Sequence, residues 1–367
     1  MDDIRYWVGI NMSEVITPRR FNLLLSSFSG VKSIWEAGEE RIKNIRGMEK
    51  VADSFCEKRD ECELKEEMRR IDDYGLDIFT LEDSNYPSSL RTLRYPPPVL
   101  YVKGKLLEDD DLSISLVGTR KFTDYGRAMA EKIAKELVRF GFTVVSGMAR
   151  GIDTFSHRAA LAGKGRTVAV LGSGFSNVYP KSNVGLMRRI KKSGAVISEY
   201  SCKQRPTKWS FPQRNRIISG LSRGTVVVEA PKKSGSLITA RCALDQGREV
   251  FAIPGDARRK SSKGTHELIK DGAKLVEGAE DVVEEFPDLR AALPLAEGDG
   301  GKVEDKIEEL DSDQKKVYLE MDYEPSHFDD LVESTGFLPA RLSHIIFELQ
   351  MKEMVKKLEG NRWIKIN

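Results

Sequence analysis

Hydrophobic and polar positions alternate in different ways along this chain and divide it into regions. Up to about residue 75, apolar residues recur at helical spacing, as in the face formed by Phe21, Leu24, Leu25 and Phe28, which predicts small helices. From residue 112 to about 286, short apolar runs alternate with helical stretches, which predicts a parallel sheet with helices on both faces. The predicted strands are 113–117, 143–146, 167–171, 195–198, 225–228, 249–253 and 274–276, and the predicted helices are 125–140, 154–162, 183–192, 215–221, 237–246 and 266–270.

Proline, glycine and acidic residues mark the boundaries. Three consecutive prolines within residues 76–111 exclude a helix and predict an extended strap on the domain that follows. Residues 287–310 are rich in Ala, Gly, Glu and Asp and are predicted to be an acidic linker. Residues 311–367 predict three helices and a hairpin, the order of a winged helix. The predicted fold class is therefore α/β: an extended Rossmann-like sheet over 76–286, a small helical domain over 1–75 and a C-terminal winged-helix domain.

Two glycines in the helical region resemble half of a helix-hairpin-helix turn. The turns at Gly30 and Gly47 each lack the second glycine of that motif. A helical packing domain, SAM-like or helix-hairpin-helix-like, is therefore favoured over independent DNA binding. The winged-helix region carries more acidic than basic residues. A structural or protein-contact role is therefore favoured there over duplex DNA binding.

Composition limits the classes of function. Lys+Arg 59 against Asp+Glu 57 gives a net charge of +2, so any nucleic-acid surface must come from local segregation of charge. The four cysteines contain no C-x-x-C pair and the four histidines are scattered, which predicts reduced thiols and no metal site. No signal peptide or transmembrane run is evident. We therefore expect a cytoplasmic protein with no membrane association.

The strongest local signal is a basic segment at residues 201–223, which contains no acidic residue. Its cations are Lys203, Arg205, Lys208, Arg214, Arg216 and Arg223. Trp209 and Phe211 lie among them, and basic and aromatic side chains together are typical of single-stranded nucleic-acid binding. A solvated basic loop with two core aromatics is the alternative interpretation.

Small and polar residues follow each predicted strand, at the edge where open α/β sheets bind ligands. Gly118 and Arg120 follow the first strand, and Ser234, Gly235 and Ser236 precede a predicted helix, where they could hold a phosphate or simply cap the helix. Neither G-x-G-x-x-G nor G-x-x-x-x-G-K-[ST] is present, so no nucleotide cofactor is predicted.

Catalysis is also disfavoured. Glu199, Glu229 and Asp256 end strands, and His157 lies in the predicted helix 154–162. None of them belongs to a recognisable nucleophile–base arrangement, so no catalytic residue is predicted.

Several sequence motifs, in this order along the chain, resemble those of the DprA/Smf (DNA-processing protein A) family. They are Leu116-Val-Gly-Thr-Arg120, Val145-Ser-Gly-Met-Ala-Arg-Gly-Ile-Asp153, residues 211–222, Val228-Glu-Ala230, residues 234–241 and Phe251-Ala-Ile-Pro-Gly255. The resemblance is strongest over residues 83–276 and weaker at both ends of the chain.

The resemblance implies a non-enzymatic protein that binds and protects single-stranded DNA and loads a RecA-type recombinase, as in natural transformation. It places Arg120, Lys208, Phe211, Arg214 and Arg216 in the DNA pocket, with the arginines and lysine on phosphates and Phe211 against a base. Asn215 is expected to brace the loop. The resemblance also implies a homodimer through residues 264–276, for which the candidate contacts are Leu268, Ile269 and Leu275.

Two other classes remain open from the sequence. Phosphoribohydrolases share a related fold, although their glycine-rich signature is absent here. The other hypothesis is a nucleotide-sensing module without a role in DNA binding.

Overall fold

The computed structural model describes residues 2–59, 61–287, 310–321, 325–352, 354–358 and 360–365. The chain divides into two compact units, Met1–Pro294 and Leu295–Asn367. The predicted acidic linker lies almost entirely outside the described residues.

The first unit begins with the predicted run of helices. They are α1 Asp2–Met12, α2 Pro18–Ser27, α3 Val31–Glu36, α4 Glu39–Lys43, α5 Ala52–Glu57 and α6 Glu61–Tyr74. Local sequence explains where α2 begins, because the Thr17 side chain accepts a hydrogen bond from the Arg20 amide at 3.4 Å and Pro18 occupies the first turn. Trp7 and Phe21 stack in the core of these helices with ring centroids 5.1 Å apart.

A nine-stranded sheet forms the centre of the described part of this unit, in the order β1-β2-β6-β5-β4-β3-β7-β8-β9. The strands are β1 Asp77–Thr80, β2 Val99–Gly104, β3 Ser113–Val117, β4 Thr143–Ser146, β5 Thr167–Val170, β6 Ala195–Ser198, β7 Gly224–Val227, β8 Glu249–Ala252 and β9 Lys274–Leu275. Strands β3 to β9 pair in parallel. In the segment predicted as a strap, β1 and β2 extend the sheet and β2 pairs antiparallel with β6. The path is not extended throughout, because Ser88–Arg91 form a short helix ahead of the three prolines, which restrict only the residues around them.

Helices cover both faces of the sheet, as the apolar strands require. They are α7 Ser88–Arg91, α8 Asp124–Arg139, α9 Ile152–Ala162, α10 Val184–Ser193, α11 Ser210–Leu221, α12 Ser236–Asp245, α13 Lys263–Lys270 and α14 Ala279–Val283. One face packs against α8, α9 and α10 and the other against α11 and α12. The N-terminal helices share a hydrophobic cluster with the first of these faces. The proposed boundary near residue 75 stays a prediction.

One element differs from its prediction in a way that matters for the site. Helix α11 was expected from residue 215 but begins at Ser210. Reciprocal hydrogen bonds explain the early start, because the Ser210 amide donates to Thr207 Oγ1 and the Thr207 amide donates to Ser210 Oγ, both at 3.0 Å. Pro212 is compatible with the first turn, where its missing N–H has no partner to lose. Phe211 and Arg214 are therefore helical residues and not loop residues.

The second unit has the predicted order of helices and hairpin. Its elements are α15 Ser312–Glu320, β10 Ser326–His327, α16 Phe328–Thr335, α17 Pro339–Met351, β11 Val355–Leu358 and β12 Arg362–Lys365. Leu331, Leu342, Ile345 and Trp363 belong to its own core. The Asp311 side chain caps α15 by accepting from the Gln314 amide at 2.8 Å. The predicted fold class, an α/β protein with a helical start and a winged-helix end, is confirmed. No helix in the described ranges has both the length and the hydropathy needed to cross a bilayer.

Candidate functional site

The main cleft lies where the chain reverses direction through the sheet. From β3 the chain proceeds through β4, β5 and β6 on one side and then returns to place β7, β8 and β9 on the other. The carboxyl ends of β3 and β7 are therefore neighbours whose following loops diverge, which is the usual ligand position in open α/β sheets. A cleft of about 500 Å³ occupies this point and is also bordered by the start of α11. We call it the first cleft.

Most of the predicted site residues meet there. The first cleft is lined by Gly118, Arg120, Lys208, Phe211, Arg214, Ser234, Gly235 and Ser236. They come from three loops, from α11 and from the first residue of α12, so segments far apart in sequence converge at the carboxyl edge of the sheet. Arg216 does not line this cleft.

Phe211 and Arg120 form the exposed wall of the first cleft. The Arg120 guanidinium lies over the Phe211 ring, 5.2 Å from its centroid, and the Tyr179 ring lies 5.8 Å away at a tilt of 55°. Phe211 is half-buried and Arg120 exposed. Gly172 supports the other side of the ring, since a Cβ on Gly172 would lie 2.7 Å from Phe211 Cδ1. The ring is thus in contact with the chain at Gly172 and with an exposed cation, Arg120.

Arg214 is part of the floor and is only 3% exposed. Its Nη1 donates to the carbonyl of Gly147 at 2.6 Å and to that of Val170, and its Nε donates to Asn215 Oδ1 at 3.3 Å. Burial lowers the pKa of its guanidinium to about 10, and the neighbouring Asp153 carboxylate acts in the opposite direction. The side chain remains charged at neutral pH and contributes positive potential from beneath the cleft.

Asp153 and Asn215 complete this polar floor. Asp153 accepts a hydrogen bond from the Ala149 amide at 3.2 Å; burial raises the pKa of its carboxyl, while Arg214 opposes that shift. Asn215 Nδ2 donates to the Gly235 carbonyl at 3.2 Å. The role expected for Asn215, bracing the loop, stays a prediction.

Arg216 points into different surroundings. Its Nη2 donates to Glu199 Oε2 and its Nη1 donates to the Tyr95 carbonyl at 2.9 Å. Glu199 is 8% exposed, and burial raises the pKa of its carboxyl while Arg216 opposes that shift. The sequence grouped Arg216 with Arg214, but the structure separates the two guanidinium groups and engages Arg216 in a largely buried ion pair.

The Ser234–Ser236 turn also lines the first cleft, and two of its three amides already have acceptors. The Ser234 amide donates to the Pro231 carbonyl at 2.9 Å, and the Ser236 amide donates to Ser234 Oγ at 3.3 Å. The Gly235 amide is the remaining donor of this turn for a phosphate.

Sequence reasoning missed two lysines that line the first cleft. Lys121 follows Arg120 directly, and Lys233 precedes Ser234; both are exposed. The available signal was their position after β3 and β7, the two strands that flank the switch in sheet order.

The carboxylates considered for catalysis each have a structural partner. Glu229 Oε2 accepts from the Thr123 amide at 2.9 Å, and Asp256 Oδ2 accepts from Arg258 Nη2 at 2.9 Å. His157 Nδ1 lies 2.7 Å from Thr167 Oγ1, and burial lowers the pKa of its imidazole to about 3. Within the described ranges, no group of three His, Cys, Asp or Glu side chains is arranged to hold a metal.

The three candidate dimer residues lie at one edge of the sheet. Leu275 belongs to the edge strand β9 and is 43% exposed. Leu268 and Ile269 lie on α13 and are partly buried, and Leu268 packs against a core cluster. Leu275 is therefore the most accessible of the three.

A parallel sheet with a basic, aromatic cleft at its switch point places the chain among Rossmann-like proteins that bind ligands at the carboxyl edge of the sheet. The profile of the family described as DNA recombination-mediator protein A matches residues 77–287, and that of the DprA winged helix domain matches residues 303–361. The chain belongs to this DprA/Smf family, which confirms the resemblance stated above.

Individual relatives agree. The DNA processing protein DprA of Bacillus subtilis is 44% identical over 215 residues, or 58% of this chain and 72% of the relative. Protein Smf of Synechocystis is 30% identical over 388 residues and is covered to 98% on both sides.

Solved structures show the same fold. The X-ray structure of DprA from Streptococcus pneumoniae superposes with a TM-score of 0.67 at 35% identity, covering 77% of this chain and 98% of that one. A Helicobacter pylori DprA structure, described for its single-stranded DNA binding mode, has a TM-score of 0.51 at 30% identity and covers 57% and 95%.

Proposed function

We propose that this protein binds single-stranded DNA in the first cleft, without catalysis, and thereby protects exposed strands. The observation that carries this proposal is the convergence of exposed cations and an aromatic ring at the switch point of the sheet. The relative from Helicobacter pylori described for its single-stranded DNA binding supports the same assignment.

In this proposal, phosphates contact the exposed cations of the first cleft. These are Arg120, Lys121, Lys208 and Lys233, of which Lys233 precedes Gly235 by two residues in the chain. Arg214 acts as a positioning residue, because its hydrogen bonds go to backbone carbonyls and its charge works from below. The contacts to phosphates follow the DNA backbone and do not distinguish one base from another.

A base stacks against Phe211. The Arg120 guanidinium covers that ring in the free protein, so binding requires Arg120 to swing from the ring to a phosphate. A cation–π contact at an exposed site contributes about 0.5–1 kcal/mol, and a base–aromatic stack contributes about 1–3 kcal/mol. The exchange is therefore favourable for any base, and we expect little sequence specificity.

The test is fluorescence anisotropy with labelled oligo-dT and the full-length protein. Arg120→Ala and Lys208→Ala should each weaken binding, and unlabelled single strands should compete better than duplex. Lys192→Ala is the matched control, because this exposed cation ends α10 at the opposite edge of the sheet. Binding that survives both cleft substitutions, or that Lys192→Ala weakens equally, contradicts the proposed site.

We further propose that the protein loads a RecA-type recombinase onto the bound strand. The assay is recombinase-driven strand exchange on DNA already coated with a single-strand-binding protein. Wild type should accelerate it, and Lys208→Ala should lose that effect in proportion to its loss of DNA binding. No acceleration by the wild type would contradict loading while leaving DNA binding intact.

A homodimer through the β9 edge is part of the same proposal. Leu275→Glu should shift sedimentation toward the monomer, because it places a charge on an exposed apolar position of an edge strand. DNA binding by the monomeric variant separates the dimer contact from the cleft. An unchanged sedimentation coefficient would remove Leu275 from the interface.

Nucleotide hydrolysis is the enzymatic alternative. Glu229 is the carboxylate to test, although it accepts a backbone amide at the start of α8. We expect no release of base from AMP by the wild type. Turnover that Glu229→Gln abolishes would favour the enzyme over the binding protein.

A further inference from the structure

A second cleft lies beside the first, on the other side of the start of α11. It measures about 550 Å³. One wall is the turn between α1 and α2 together with Asn11 at the end of α1 and Arg19 at the start of α2. The other wall is formed by residues around Glu199 and Trp209. Asn11 Nδ2 donates to the Glu199 carbonyl at 3.0 Å and ties the two walls together. The N-terminal helices therefore help to build a cavity at the ligand-binding edge of the sheet.

Trp209 stands at the rim of this second cleft and is 79% exposed. The other tryptophans differ, since Trp7 is 2% and Trp363 8% exposed and Trp35 is partly buried. A tryptophan in solvent has no packing role that would explain it. It presents a large, sequence-tolerant stacking surface inside the acid-free basic segment.

The two clefts share one narrow ridge. Lys208 and Phe211 line the first cleft, whereas Trp209 and Ser210 line the second. The Cα atoms of Trp209 and Phe211 are at most about 7 Å apart, because only Ser210 lies between them along the chain. A strand with one base on Phe211 thus reaches Trp209 by crossing a single helical turn.

We propose that the second cleft is a further subsite for the same DNA strand, with a neighbouring base stacked on Trp209 and a phosphate held by Arg19. The occupant is a continuing single strand, since the cleft is continuous with the first site and its rim adds the exposed cation Arg19. Glu14 also lines the second cleft, and the adjoining hollow holds as many carboxylates as cations, so Arg19 is the exposed cation of this subsite that a phosphate would contact. The inference rests on the proposed function and gives the N-terminal helices a direct part in binding.

The test compares short and long oligo-dT, of about five and about twenty nucleotides, on the full-length protein. Trp209→Ala should weaken the long oligonucleotide by roughly 5- to 150-fold, the range of one lost stack, and leave the short one within about twofold. Trp209→Phe should retain most of the affinity. Arg19→Ala should weaken only the long oligonucleotide and flatten its salt dependence by about 0.7 in the log–log slope.

Two further measurements make the result specific. Lys32→Ala is the charge control, because Lys32 is an exposed cation of α3 outside the cleft. The long oligonucleotide should quench tryptophan emission in the wild type, and Trp209→Phe should abolish most of that quenching.

The outcomes separate the two proposals. If Arg120→Ala weakens binding of the long oligonucleotide but Trp209→Ala leaves it unchanged, the second subsite is overturned and the first cleft is not. A wild type that binds neither oligonucleotide overturns the first cleft as a DNA site, and the second subsite with it.

Discussion

Lys208 is proposed to contact a phosphate and Phe211 a base, and a salt titration of DNA binding can distinguish the two contacts. A cation on a phosphate releases counterions, so its contribution depends on salt, whereas a stacked ring contributes equally at all salt concentrations. Removing each side chain should therefore change a different property of the binding curve. Oligonucleotides short enough to fill only the first cleft are the appropriate probe.

The magnitude follows from the charges of the first cleft. Among the described residues, four exposed cations line it: Arg120, Lys121, Lys208 and Lys233. At about 0.7 per neutralised phosphate on a single strand, the log–log slope should be near −2.8, so affinity should fall roughly 50-fold between 50 and 200 mM salt. Lys208→Ala should reduce the slope to about −2.1 and the fall to roughly 20-fold.

Phe211→Ala should behave differently. We expect a loss of about 1–3 kcal/mol, or roughly 5- to 150-fold, with the slope near −2.8 retained. Anisotropy titrations at four or more salt concentrations measure both quantities, and Lys192→Ala supplies the unchanged reference. A slope that Phe211→Ala reduces as much as Lys208→Ala does would refute the division between phosphate and base contacts.

Three more predictions concern the support beneath the first cleft. Gly172→Ala should weaken DNA binding several-fold with little loss of stability. The new Cβ would lie 2.7 Å from Phe211 Cδ1, so the ring would have to move by about 1 Å to reach an ordinary van der Waals separation. Anisotropy measures the change in DNA affinity and a thermal melt the change in stability. Arg214→Ala should cost about 3–5 kcal/mol of unfolding free energy in urea titration, since it leaves buried carbonyls and the Asp153 carboxyl without their cationic partner; a change below about 1 kcal/mol would contradict its structural role. His157 has a native pKa lowered to about 3, so the unfolded chain gains a proton first as pH falls below about 6.5 and stability should drop by up to ~1.4 kcal/mol per pH unit. His157→Gln should lose less stability than wild type between pH 7 and 5, and parallel pH profiles would refute this assignment.

The sheet was predictable because its strands are short runs rich in apolar and β-branched residues. Ser113–Val117 and Ala195–Ser198 are buried at every position, and such runs identify central parallel strands directly. The boundary of α11 was not predictable in the same way. Its start depends on the reciprocal Thr207 and Ser210 hydrogen bonds, and several polar residues of that loop could have capped the helix equally well.

The basic segment was predictable as a whole, but the roles of its members were not. Charge and stacking chemistry identified Lys208 and Phe211 from residue type alone. Lys121 and Lys233 required the sheet order, because they approach the same cleft from strands that are neighbours in space but far apart along the chain. The second cleft required the packing of the α1–α2 turn, which no local pattern specifies.

The earlier start of α11 also explains why the two arginines of the Arg214-Asn215-Arg216 triplet separate. Residues two apart on an α-helix are rotated by roughly 200° about its axis, so they cannot share a face. Arg214 consequently enters the floor of the first cleft, whereas Arg216 enters the wall of the second and pairs with Glu199. The same helix therefore anchors both clefts from opposite faces, while its first turn carries Phe211, with Trp209 just ahead of it. Because Phe211 lies in the first turn and Trp209 is the residue that precedes it, we expect a strand bound at the first cleft to reach Trp209 without a change in the backbone.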